Sequence, residues 1–306
     1  METVLWKAVA FLFIIALGYA LKRLHVFKEK DYEVVTKIVM NITLPAAIIT
    51  SFSGYQVSTG LLLMTLFGFG CTLLLLFLGY LFTHHKDNKT KVHYMLNLSG
   101  YNIGCFTLPY MQSFFGPLGV VATCMFDAGN SLLSTGGSYA IVSNLTEPGR
   151  SLADSLKHFL KKLFSSVPFD ASVLMAAISL CGLRLPDAAV TVSSTISSAN
   201  GFIAMLMMGM MFKLDRKPEY LKKAGITLVG RYSAATVFAL LFYFCTPLPL
   251  DLRQVLVILV FSPIASLSPV FTGWCKGDLG LASFVNSLSI LISIVIITFL
   301  IVVMNV

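Results

Sequence analysis

The sequence predicts an all-α polytopic membrane protein of ten transmembrane helices, set out as two inverted five-helix repeats with helices four and nine broken. Three observations predict it. Of 306 residues, 57% are hydrophobic and only 12% charged, with a mean hydropathy of +0.83, too little charge to cover a soluble domain of this size. The apolar residues fall into ten runs of ~20 residues, the length that crosses a bilayer. Basic residues then alternate between the intervening loops, as they do when one side faces the cytoplasm.

In order, the spans are predicted at 3–23, 33–53, 60–83, 93–113, 118–143, 168–185, 188–212, 222–246, 252–274 and 279–305. The stretch Met1 to Phe27 lacks a basic start and a small-residue cleavage site, so the first run reads as a retained span. Seventeen of the 22 basic residues follow spans one, three, five, seven and nine, among them Lys22, Arg23, Lys89, Arg150, Lys223 and Lys276. The other side carries only Lys7, Arg184 and Arg253. Both termini are therefore expected on the outer side of the cell membrane. Asp170 and Lys37, near span ends, are expected to snorkel. Residues 145–167, LTEPGRSLADSLKHFLKKLFSSV, form a basic amphipathic connector. It divides the chain into a first repeat at 1–144 and a second at 168–306.

Five spans per half invert the second half relative to the first, the logic of many secondary transporters. The halves echo each other. Span two is interrupted at NITLPAAI around Pro45, and span seven at SSANGFI around Asn200 and Gly201. Span four carries Asn102, Gly104 and Pro109 in GYNIGCFTLPYMQSFFG, and span nine carries Pro263 and Pro269 in FSPIASLSPVFTG. The span after each bears Asn-Ser-Leu, at Asn130 and at Asn286. A proline removes an N–H and frees a carbonyl one turn back, groups that cost several kcal/mol each against lipid. Such backbone is tolerated at membrane depth only inside protein or beside a cavity. Paired breaks bring half-helix ends together at mid-membrane, where N-termini favour an anion. Each proline alone could also be a simple kink.

Several of these residues together resemble the auxin efflux carrier family, in its bacterial branch. They are LGYALKRLHVF at 17–27, Leu44-Pro45, Asn102 with Pro109 and Gly116 at intervals of seven, GLRLP at 182–186, Gly209, and Pro263 with Asp278. The resemblance implies crossed broken spans four and nine within a transport unit, a scaffold of spans one, two, six and seven, and an elevator mechanism. It also implies an organic anion substrate of the malonate, malate or auxin-like kind, and a homodimer joined through the scaffold. The chain departs from the family near Phe202, where a proline is usual, and in its additional Pro269.

Two charges are expected deep in the bilayer. Asp127 lies about nine residues into span five, ~14 Å at 1.5 Å per residue, and Arg231 lies at similar depth in span eight. A central charge costs ~2.5–3.5 kcal/mol by insertion scales, so each needs a partner or a task. In one reading Asp127, with Asn130 and Asn286, serves a coupling proton or cation, and Arg231 meets the substrate carboxylate. In the other, Asp127 and Arg231 neutralise each other. Candidate substrate contacts are Asn102, Gly104, Pro109, Pro263, Ser266, Ser268, Pro269 and Arg231, with Pro45, Asn200 and Gly201 on the scaffold side. Ser262 is a further hydroxyl beside Pro263.

The leading function is a secondary carrier of a small organic anion, coupled to H⁺ or Na⁺. The alternative is a cation/proton antiporter of inverted-repeat fold, against which stands the isolation of Asp127 from other carboxylates. No GxxxxGK[ST] loop is present, so no nucleotide site is expected. All five histidines are read into charged loops, and the six cysteines lie in apolar runs without ligand spacing. No enzyme, cofactor or metal site is therefore expected. The basic residues are scattered over loops, which reads as topology and not as nucleic-acid binding.

Overall fold

The computed structural model describes residues 2–53, 55, 56, 58–146, 163–212 and 218–304, the first four of these in backbone alone. Most of the predicted connector 145–167, with Arg150, Lys157, His158, Lys161 and Lys162, lies outside the described residues, as do Lys213, Arg216 and Lys217.

Every described element is helical. Helix α1 (Glu2–Arg23) is followed by α2 (Tyr32–Ile38), which runs through a π-helical turn, Val39–Thr43, into α3 (Leu44–Phe52). Then come α4 (Thr59–Thr83) and α5 (Asn88–Leu98). After a gap, a π-turn at Ile103–Thr107 leads into α6 (Leu108–Phe114). Helix α7 (Gly116–Leu132) continues through a third π-turn, Leu133–Gly137, to α8 (Ser138–Thr146). Beyond the connector lie α9 (Val167–Leu180), α10 (Asp187–Ser197), α11 (Asn200–Met211) and α12 (Pro218–Cys245). The last elements are α13 (Leu250–Val260), α14 (Ser268–Trp274) and α15 (Leu279–Val303).

Among the described residues, five stretches are long and apolar enough to cross a membrane: α2–α3, α4, α10–α11, α12 and α15. Large apolar side chains cover their outer faces, including Leu66, Phe77, Val229, Phe244, Val295 and Phe299. This is the surface a bilayer would solvate, since lipid is as apolar as leucine.

The prolines act differently from the sequence expectation. Pro45 does not interrupt its helix. It follows the π-turn, in which Leu44 N–H reaches Val39 O, so the wide turn absorbs the missing donor and the helix carries on. Pro109 repeats the device, with Leu108 N–H on Ile103 O and the same Thr-Leu-Pro sequence. The break in the fourth span therefore lies not at Pro109 but upstream, at Ser99–Asn102, where Gly100 takes φ +76°. In the ninth span Pro263 sits inside the break, while Pro269 opens α14 at a first-turn position where no donor is missed. A turn at Ser198–Ala199 separates α10 from α11, immediately before Asn200.

Two helix pairs approach at van der Waals limit through reciprocal glycines. In α4 and α7, a Cβ on Gly68 would fall 2.0 Å from Phe126 O, and one on Gly129 1.9 Å from Thr65 O. In α1 and α11, Gly18 would clash with Leu206 O at 2.3 Å and Gly209 with Ile15 O at 2.0 Å. Small residues at such crossings let backbones touch, the main source of helix attraction where lipid removes the hydrophobic term.

Candidate functional site

The two broken segments meet in the interior. Tyr101 and Ile264 form an isolated antiparallel bridge, and Asn102 N–H donates to Pro263 O at 2.9 Å. Gly100 permits the approach: a Cβ there would lie 3.1 Å from that of Ala265. Breaking two helices inside the bundle strands carbonyls at the ends of α5 and α13, and these need donors.

Arg231, on α12 and fully buried, supplies them. Its guanidinium donates to Leu98 O (2.5 Å), Gly100 O (2.9 Å), Ser262 O (2.9 Å) and Pro263 O (3.2 Å). It also lies 4.8 Å from the centre of the Tyr101 ring, a cation–π distance. A planar five-donor fork can bridge two chains in this way and a lysine cannot. The expected pairing with Asp127 does not form: among the described residues no ion pair joins them. A cation that needs acceptors finds four helix-end carbonyls, the negative poles of two half-helices.

Each broken segment is also clasped by the asparagine of the following span. Asn130 accepts from Tyr101 N–H (3.1 Å) and donates to Tyr101 O (3.0 Å), imitating a neighbouring strand. The same amide accepts from Thr72 Oγ1 (3.0 Å) and donates to Asp127 Oδ1 (2.8 Å). Asn286 donates to Ile264 O (3.0 Å) and Ala265 O (3.3 Å), and Ser289 Oγ accepts from Ile264 N–H (3.1 Å). Ser293 closes the set on Phe261 O at 2.6 Å. The side chains of the crossing interlock too: Asn102 Nδ2 donates to Ser266 Oγ at 2.8 Å, and the hydroxyls of Thr107 and Ser262 lie 2.6 Å apart.

Asp127 is half-buried. It borders a cleft lined by Leu44, Gly104, Ser131 and Ser172, of about 10 Å³, room for about one water.

Of the predicted site residues, Asn102, Pro263, Ser266, Arg231, Asn130, Asp127 and Asn286 thus belong to one hydrogen-bonded system, with Gly104 beside Asp127. Pro109 and Pro269 are buried in the helices that leave the crossing, and Ser268 N–H donates to Ala265 O at 3.0 Å, the carbonyl that Asn286 also reaches. Pro45, Asn200 and Gly201 lie elsewhere. Asn200 accepts from Thr43 Oγ1 at 3.0 Å and donates to Gln112 Oε1 at 3.4 Å, and Gln112 Nε2 reaches Ser197 Oγ at 2.9 Å. His93 corrects the reading of all histidines as loop residues. It sits on α5, 4% exposed, with Nε2 3.1 Å from Thr227 Oγ1. Among the described residues no cluster of three His, Cys, Asp or Glu could hold a metal.

The sequence reading missed Thr72, Thr107, Ser289 and Ser293. The signal was present for the last two: Asn286, Ser289 and Ser293 recur at helical spacing along one face of an otherwise apolar span.

Residues 3–148, which carry α1 to α8, match the membrane transport protein family. That match, over a little under half of the chain, supports placing it in that family. The family is one of membrane transport, and the five long apolar helices among the described residues agree with a membrane location. No curated protein matches this chain.

Proposed function

We propose that this membrane transport protein is a secondary carrier of a small organic anion, a mono- or dicarboxylate. It is read as ten spans in two inverted repeats, 1–144 and 168–306, joined by 145–167, with both termini outside. One observation carries the reading: Arg231 occupies the carbonyl ends of both broken helices. The negative poles at the crossing are thereby neutralised, while the N-terminal end of the Ile103–Phe114 half-helix and the amide of Asn102 remain. That balance favours an anion. Asn102 Nδ2 keeps one hydrogen beyond its bond to Ser266, and Ser266, which accepts there, keeps its own. Both are suited to a carboxylate.

Asp127 is the proposed coupling group. Its cleft has room for one water and not for an organic anion, and few oxygens line it, which suits a proton better than Na⁺. Asn130 links the carboxylate directly to the backbone of Tyr101 in the crossing. An elevator stroke would carry one of the two glycine-locked pairs, α4–α7 and α1–α11, past the other.

The test is uptake into proteoliposomes of radiolabelled mono- and dicarboxylates at two pH gradients, for wild type and Asn102→Ala. A hydrogen bond to a charged ligand contributes ~1.5–3 kcal/mol, so uptake in the variant should fall by about tenfold or more with its melting temperature within a few degrees of wild type. If wild type moves no carboxylate but dissipates a pH gradient on addition of Na⁺, the protein is an antiporter and the anion reading fails.

A further inference from the structure

At the end of the molecule that bears the basic loops, a cleft of about 390 Å³ opens between the first turn of α5, α12 and the loop joining α14 to α15. Lys89, Lys223 and Lys276 line it, together with Asp87, His93 and Asp278. The two carboxylates are committed elsewhere. Asp87 caps α5, taking Thr90 N–H at 3.0 Å and Thr90 Oγ1 at 2.6 Å. Asp278 caps α15 through Leu281 N–H at 2.9 Å and also accepts from Tyr220 OH at 3.1 Å. Each caps a helix while lining the cleft, and among the described residues neither Lys89 nor Lys223 makes an ion pair.

One further observation points to a ligand. Thr227 Oγ1 gives its one hydrogen to Lys223 O at 2.8 Å. His93 Nε2 must therefore donate to Thr227, and Nδ1 is left as a buried acceptor without a partner in the wall of the cleft, which a ligand hydroxyl can satisfy and an anionic oxygen cannot.

We infer that this cleft binds the phosphate of an anionic lipid headgroup. Three lysines from separate segments converge on it, and basic pockets between membrane helices are matched to that chemistry. A bound phosphate would tie together α5, α12 and the end of α14. Two of those segments, α5 and α12, also reach the crossing, where Arg231 bonds Leu98 O. Occupancy would thereby stiffen the carrier from its basic face, whatever anion it moves.

The experiment uses the purified full chain in neutral detergent, with native mass spectrometry and thermal melting as readouts. Phosphatidylglycerol, phosphatidylcholine and inorganic phosphate are added at equal concentration. Phosphatidylglycerol should stay bound and raise the melting temperature, and the other two should not. Lys89→Gln, Lys223→Gln and Lys276→Gln should each weaken retention about fivefold, since one basic residue near a headgroup contributes ~1 kcal/mol. Lys222→Gln, an exposed neighbour outside the cleft, should leave retention unchanged. Lipid-free melting of each variant separates loss of binding from loss of fold. Equal effects of all four substitutions, or none, overturn the site. Inorganic phosphate acting as well as the lipid overturns the lipid assignment. Uptake of carboxylates is not part of the readout, so failure of the carrier reading leaves this test intact.

Discussion

Among the described residues Arg231 is a charge without a carboxylate partner, and it needs none. Taking an ion out of water costs several kcal/mol even after relaxation. Here the offset comes from four carbonyls and an aromatic face; without the arginine those of Leu98, Gly100 and Ser262 would lose this donor, while Pro263 O would keep Asn102 N–H. Each stranded acceptor costs ~1–3 kcal/mol. Arg231→Met should therefore remove most of the folded protein, read as loss of the monodisperse peak in detergent gel filtration. Arg231→Lys should rescue it only partly, because a point charge on a flexible stem cannot reach two chains at once. A variant that melts within a degree of wild type would show that the crossing holds without it. The sequence made Arg231 conspicuous, as a lone deep cation must be, yet could not name its partner. Acceptors that belong to broken helix ends become visible only once it is known where the helices break.

At the scale of elements, close helix pairs rest on glycine more than on side-chain interdigitation. Gly129→Ala would drive a methyl into Thr65 O, and such overpacking costs ~1–3 kcal/mol. It should lower the melting temperature clearly. Gly70→Ala on α4 meets nothing within 4 Å and should leave melting unchanged or slightly raised. If the two behave alike, the α4–α7 crossing is looser than described. Helix existence was legible because apolar runs of bilayer length leave few other solutions. Break positions were less so. Thr-Leu-Pro reads as an interruption, but a π-turn ahead of each proline at Pro45 and Pro109 hides the missing donor inside a continuous helix. The true gap at Ser99–Asn102 was marked only by Gly100, a residue common in membrane helices. The repeated Asn-Ser-Leu, by contrast, did report geometry: both asparagines clasp the segment that precedes their own span.

For the whole molecule, the α1–α11 body is linked to α6 by Gln112, which bonds Ser197 and meets Asn200. If transport moves one body past the other, those bonds must break in each cycle. Cysteines at positions 112 and 197, in a chain whose six native cysteines are replaced, should be joined by a short bifunctional thiol reagent. Uptake should then stop, while the uncrosslinked double variant keeps at least half of its rate. Undiminished uptake after complete crosslinking would end the elevator reading. Which parts move was not legible in the sequence, because motion depends on contacts between residues 85 positions apart.

The arrangement around Arg231 also constrains how the chain can be made. Leu98 and Gly100 lie 133 and 131 residues upstream, whereas Ser262 and Pro263 lie 31 and 32 residues downstream. When α12 enters the bilayer, half of the arginine's acceptors have yet to leave the ribosome. The helix must be held beside α5, in a half-satisfied state, until α13 arrives and closes the knot, so biogenesis of this protein has its critical moment late, at the ninth span.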